Sequence, residues 1–121
     1  MGLTDAGIKW PNDILVHGKK LVGILTLMSA SMEKIDYIIM GIGINTGIKK
    51  NEFPEDFREG ATSFLNEGIN VSRKDLLAAI LGELEKEYSI AQNEGFDKVL
   101  DDWRALSVTL GQEVRVIFGD D

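Results

Sequence analysis

Five consecutive residues, Lys9-Trp10-Pro11-Asn12-Asp13, place the densest chemistry of the chain near its start. Proline pins the backbone after the tryptophan, and Asn12 and Asp13 present an amide and a carboxylate side by side. A carboxylate serves as a base or a magnesium ligand, and an amide reads a nucleobase or another polar ligand. The same Pro-Asn-Asp run is also ordinary turn composition. Lys20 stands three residues before Gly23 on an apolar run. With apolar neighbours its ammonium is expected to be partly desolvated, either snorkelling to water or pointing at an anion. Lys19 is expected to point the other way, into solvent. Gly41-Ile42-Gly43-Ile44-Asn45 is the third cluster. Its glycines let a ligand or another backbone approach closely, and Asn45 adds a polar reader at the strand end; a bulge is the alternative reading. The dinucleotide-binding fingerprint is not met, because the third glycine and the following helix are missing. His17 reads as a turn residue with no visible partner.

The elements that must position these residues are strands first and helices later. Ile14-Leu15-Val16 is a short apolar run, and His17-Gly18 suits a two-residue hairpin turn. Residues 19–28 follow as a long strand. Strict alternation puts Leu21, Gly23, Leu25 and Leu27 on one face and Lys20, Val22, Ile24, Thr26 and Met28 on the other. Both faces are mostly apolar, so this strand is expected to be central. Residues 35–44 form a further strand after a polar turn. Residues 46–57 read as loop, and 61–65 as a helical turn. Ser72, with Asp75 three residues on, begins a helix whose Leu76, Leu77, Ile80, Leu81, Leu84 and Tyr88 recur at helical spacing, until Gly95 breaks it. A second helix carries Phe96, Val99, Leu100, Trp103 and Leu106 on one stripe. Tyr88 and Trp103 are expected in the core, and Glu83, Glu85 and Glu87 on the solvated surface. Glu113 to Phe118 reads as a last strand without a following partner. This order predicts an α+β fold, a mixed sheet with flanking helices.

Composition narrows the function classes. The 121 residues are one domain's worth of chain, with 44% hydrophobic and 27% charged side chains, enough to build a core. There is no cysteine and a single histidine, which excludes disulfides, thiolate zinc sites, a cysteine nucleophile and a two-histidine metal site. The net charge is −7. Residues 1–45 balance Lys9, Lys19, Lys20 and Lys34 against Asp5, Asp13, Glu33 and Asp36, so the remainder carries the whole excess. Generic nucleic-acid binding is disfavoured for want of a basic patch. The neutral first third, with lysines near glycines, is where an anionic small molecule is most easily received. No apolar run is long enough to span a membrane and no signal peptide is visible, so a soluble cytoplasmic protein is expected.

Taken in order, Lys9-Trp10-Pro11-Asn12-Asp13, Lys20-Leu21-Val22-Gly23-Ile24-Leu25 and Gly41-Ile42-Gly43-Ile44-Asn45 resemble the catalytic domain of biotin protein ligase (biotin–[acetyl-CoA-carboxylase] ligase). Ala61-Thr62-Ser63-Phe64-Leu65 and the Ser72 helix also look like that family. The resemblance implies a fold related to class II aminoacyl-tRNA synthetases and lipoate ligases. It implies MgATP-dependent activation of biotin to biotinyl-5′-AMP, then transfer to a lysine of the biotin carboxyl carrier domain of acetyl-CoA carboxylase. By resemblance, Lys20 contacts the biotin carboxylate and adenylate phosphate. Asp13 orients magnesium or takes the acceptor lysine's proton. Asn12 and Asn45 hold the adenylate; Gly23, Gly41 and Gly43 allow close approach; and Trp10 belongs to the substrate-binding set. Residues 1–110 correspond to part of the catalytic domain and residues 111–121 to the first strand of an SH3-like C-terminal domain. The family's glycine- and arginine-rich loop and its serine-threonine-asparagine motif are not found before Lys9. The chain is therefore expected to be an interior piece, truncated at both ends, not competent alone, and prone to pair as a homodimer through exposed sheet edges. A lipoate ligase and a non-catalytic binding fragment are the competing readings.

Overall fold

The computed structural model describes residues 2–116. Four strands, β1 (Ala6–Lys9), β2 (Asp13–Val16), β3 (Lys19–Ala30) and β4 (Ile35–Ile44), form an antiparallel sheet in chain order. A 3-10 turn (Lys50–Glu52) and a one-turn helix, α1 (Glu55–Arg58), follow; α2 (Arg73–Glu94) and α3 (Asp97–Leu106) complete the described elements. Two isolated parallel bridges, Ile8 to Ser107 and Lys20 to Ala61, make the sheet mixed. The expected α+β class, a sheet with flanking helices, is what the molecule shows.

Local chemistry accounts for the joints. Between β2 and β3 both turn residues hold positive φ, His17 at 49° and Gly18 at 75°. That is the type I′ geometry whose twist matches two antiparallel strands. Ser72 caps α2 by accepting the Asp75 amide at 3.3 Å, and Gly95, at φ 88°, ends the helix. Val16, Leu21, Val22, Phe64 and Leu76 form the core cluster, with Ile14, Ile24, Ile44 and Ile80 packed against it. The core thus lies between one face of the sheet and the first turns of α2.

Several sequence expectations are corrected. Leu15 pairs with Lys20 and Ile14 with Val22, so Leu21 is an extra residue in β3, a bulge. Alternation is broken there, and consecutive Leu21 and Val22 are both buried. Central placement of β3 holds only at Val22 and Gly23, which pair with both β2 and β4; beyond Gly23 it pairs with β4 alone, and Leu27, Met28, Ile38 and Ile39 are exposed. Residues 61–65 are no helix: Ala61 bridges to Lys20 and a turn follows, because the Lys20 backbone offers this segment hydrogen bonds a helical turn would forgo. Tyr88 is exposed and Trp103 half-buried, because α2 outruns the sheet core and α3 packs by one side only. Glu113–Val116 carry no strand, having no pairing partner among the described residues; Ile117 and Phe118 lie outside them. Among the described residues no helix is long and apolar enough to cross a membrane.

Candidate functional site

Across the sheet Asp13 pairs with Gly23, Gly23 with Gly43, and Leu25 with Gly41. Paired residues share a face, and so do alternate ones. Asp13, Gly23, Leu25, Gly41 and Gly43 therefore line one face, and Ile14, Val22, Ile24, Ile42 and Ile44 the other. The second set meets α2. The first is nearly bare of side chains across three glycines, and a cavity of about 460 Å³ lies there, lined by Asn12, Lys20, Gly23, Leu25, Gly41 and Gly43 among others.

The Leu21 bulge brings Lys20 to this face. Its Nζ lies 2.7 Å from Asp13 Oδ1, and a Cβ built on Gly23 would sit 3.2 Å from the same Nζ. The Lys20 side chain is about half exposed and that of Asp13 mostly covered. Lys20 thus presents a positive charge, braced by a carboxylate, at the rim of a floor made of backbone. An ammonium with open space beside it, over a floor without side chains, suits an anionic ligand of extended shape.

The other expected residues divide. Asn12 lines the cavity but its Nδ2 donates to the Ile24 carbonyl at 2.7 Å, while Ile24 N–H donates to the Asn12 carbonyl at 2.8 Å; the residue fastens the turn before β2 onto β3. Asn45 lies at the end of β4 and lines a second cavity of about 420 Å³ with Lys20, Phe53, Phe57 and Gly60. Its Nδ2 donates to the Thr62 carbonyl at 3.0 Å. Trp10 is exposed, away from both linings, and its N–H donates to Thr109 Oγ1 at 3.0 Å. Among the described residues no three His, Cys, Asp or Glu side chains converge as a metal site would require.

Sequence reasoning missed three participants. Phe53 and Phe57 flank Pro54 in the segment read as loop, and their spacing around a short helical turn was the available signal. Glu67 carried none. Its Oε2 meets His17 Nδ1 at 2.9 Å, which supplies the partner that His17 lacked in the sequence reading. Its Oε1 accepts the Thr62 hydroxyl, and Thr62 is buried. The Thr62 hydrogen bond first, and then His17, hold the Glu67 carboxyl below its ordinary value, against the opposing effect of burial.

Comparison with known proteins follows the same lines. Residues 4–45 match the model of the Biotin/lipoate A/B protein ligase family. The chain is 38% identical over 109 residues to the bifunctional ligase/repressor BirA of Bacillus subtilis, covering 89% of this chain and 34% of that protein. It is 34% identical over 114 residues to a biotin–[acetyl-CoA-carboxylase] ligase of Mycobacterium tuberculosis, covering 93% and 39%. Among solved structures, the apo biotin protein ligase of Aquifex aeolicus superposes with a TM-score of 0.74 at 28% identity, covering 88% of this chain and 46% of that one. The same enzyme in complex with biotin and ATP gives 0.70 at 28% identity, covering 88% and 44%. The chain spans about a third of the length of these curated relatives. The resemblance read from the motifs is borne out.

Proposed function

We propose that this chain, which sequence and fold relate to the biotin protein ligases, supplies the lysine-bearing part of a site that makes biotinyl-5′-AMP from biotin and ATP and passes biotin to a carrier-protein lysine. The observation that carries this reading is the Lys20–Asp13 pair, 2.7 Å apart, over the Gly23–Gly43 floor. In the first step a biotin carboxylate oxygen attacks the α-phosphorus of ATP; an acyl–phosphate bond forms and pyrophosphate leaves. In the second, the acceptor lysine's amine attacks the acyl carbon, an amide forms and AMP leaves. Both steps concentrate negative charge on carboxyl and phosphoryl oxygens. An ammonium fixed at the cavity rim stabilises that charge more than water does, because it needs no reorganisation. Asp13 holds the ammonium in place and offers a base for the proton that the acceptor amine sheds. Gly23, Gly41 and Gly43 let the ligand lie on the strands, Asn12 closes the floor, and Asn45 with Phe53 and Phe57 frames the second cavity for the nucleotide end.

The residues present do not make a resident magnesium site. Asp13 is a single carboxylate already paired with Lys20, and a magnesium accompanying ATP is held largely by phosphates and water. We assign the acceptor to acetyl-CoA carboxylase, which the name of the Mycobacterium tuberculosis relative carries; its carboxyl carrier domain as the modified part, and the cytoplasm as the place of reaction, are assigned on the resemblance alone. Residues 111–121 are assigned to the start of a following SH3-like domain on the resemblance alone. Pairing of two copies along β4, one of the two edge strands of the sheet, is the oligomeric form this reading expects. The chain spans a third of its relatives' length, and what is proposed for it by itself is adenylate binding.

Calorimetric titration with a non-hydrolysable biotinyl-5′-AMP analogue tests the reading. Binding that weakens on Lys20→Ala by about 10- to 100-fold supports it, since a hydrogen bond to a charged group contributes about 1.5–3 kcal/mol. Preference for the lipoyl analogue would transfer the site to the lipoate branch. No binding by the folded chain would leave a non-catalytic fragment.

A further inference from the structure

Lys20 stands one residue beyond a two-residue turn, where strand ends fray, yet its backbone is gripped outside the four-stranded ladder. Its N–H donates to the Gly60 carbonyl at 2.8 Å, and its carbonyl accepts the Thr62 N–H at 2.9 Å. Both backbone groups of the lysine are therefore satisfied by a segment that belongs to no strand, approached through the long excursion from Asn45. Such a segment does not position anything unless something holds it.

Glu67 holds it. One carboxylate oxygen meets His17 in the turn before Lys20; the other accepts the hydroxyl of Thr62, the residue that grips Lys20 from the far side. The Glu67 side chain is 15% exposed and Thr62 is 2% exposed, so water competes little for the Thr62 bond, while the His17 ring at the other oxygen is open to solvent. Thr62 is engaged at every polar atom: its N–H by Lys20, its carbonyl by Asn45 and its hydroxyl by Glu67. Glu67 lines neither the glycine-floored cavity nor the second one. We propose that Glu67 is a positioning residue for Lys20, acting through His17 and Thr62 to fix where β3 begins and hence where the lysine ammonium stands. The function of this clamp rests on the reading that Lys20 faces the anionic ligand; its existence does not.

Amide hydrogen exchange on the full chain tests it, read at Lys20 and Thr62 and normalised to the amides of α2. Glu67→Ala is expected to speed exchange at these two amides by about ten-fold relative to α2, as local opening does. His17→Asn retains a side chain that tolerates positive φ but shortens the reach to Glu67, and should speed the Lys20 amide in the same sense. Glu67→Gln should restore both amides, because its Oε1 accepts from Thr62 and its side-chain amide keeps a hydrogen-bonding group within reach of His17 Nδ1. Analogue affinity should follow the same order: lowered by Glu67→Ala, recovered by Glu67→Gln. If Glu67→Ala does not fold, His17→Asn against Glu67→Gln decides. Wild-type exchange at Lys20 in His17→Asn, or acceleration of all amides alike in Glu67→Ala, overturns the clamp. A clamp seen by exchange in a chain that binds no analogue overturns the ligand reading and leaves the clamp standing.

Discussion

Lys20 and Gly23, three positions apart on one strand, face the same way, and the lysine ammonium occupies the space a side chain on Gly23 would claim. A Cβ there would lie 3.1 Å from Lys20 Cε, 3.2 Å from its Nζ and 3.7 Å from Asp13 Oδ1. Strands put residues of odd separation on opposite faces; the extra residue at Leu21 undoes this. The glycine is the seat of the lysine.

Gly23→Ala is therefore expected to displace the ammonium while leaving the fold intact, because the neighbour that must yield is the end of a flexible side chain. The Lys20 end of the pair is half exposed, so its disturbance should cost no more than about 1 kcal/mol of stability. Affinity for the adenylate analogue should fall about ten-fold or more. Thermal melts alongside calorimetry check the two together; a large loss of melting temperature would mean that the site is rigid rather than yielding.

Gly43 and Gly41 separate ligand binding from folding more sharply. A Cβ on Gly43 would meet only the Gly23 carbonyl at 3.8 Å, and one on Gly41 only the Leu25 carbonyl at 3.7 Å, both ordinary contacts. Nothing in the protein itself requires glycine there. Gly43→Val should hold or raise stability by up to about 1 kcal/mol, since valine suits a strand and glycine weakens one. It should also fill the cavity and abolish analogue binding. Unchanged affinity in this variant would place the ligand elsewhere.

Much of this arrangement was legible where local chemistry decides it. His17-Gly18 carries its own turn signal, Ser72 its own cap, and β4 follows the apolar run from Ile35 to Ile44 to the residue. The bulge was not legible from alternation: Leu21 and Val22 are both apolar, and consecutive apolar residues read as a strand buried on both faces. The same pair, both buried, is what a bulge against a one-sided core looks like. Asp13, Asn12 and the glycines could be named from their types. That Asn12 and Asn45 spend their amide donors on Ile24 and Thr62 could not, since those partners depend on tertiary placement. Glu67 was invisible because its partner His17 lies 50 residues away and the turn signal at His17 says nothing about its side-chain partner.

At the opposite end of the sheet, Gly7 on β1 packs against the strap that follows α3. Val108 N–H donates to the Ile8 carbonyl at 2.9 Å, which draws the chain so close that a Cβ on Gly7 would overlap Val108 Cγ1. Gly7→Ala should cost about 1–3 kcal/mol by overpacking, and adding Val108→Ala should recover part of it. Denaturant titrations of the two single variants and the double variant measure the coupling. Additive losses would show that the contact is not what sets the cost.

Acid sensitivity should run through Glu67. Thr62 and then His17 lower its carboxyl in the folded chain relative to the ordinary value of 4.5, so the folded state binds that proton more weakly than the unfolded state does. The sign follows: the stabilisation is complete above the ordinary value and is lost as pH falls through the lowered folded value. At neutral pH, Glu67→Gln exchanges charge-assisted hydrogen bonds for neutral ones and should cost about 0.5 kcal/mol. As pH falls through the lowered folded value the wild-type carboxyl itself becomes neutral, and the two melting temperatures should converge. Melting temperature against pH for both chains gives the comparison directly. A gap that stays constant from neutral to strongly acid pH would mean that the carboxylate's charge adds nothing to the hold on Thr62 and His17.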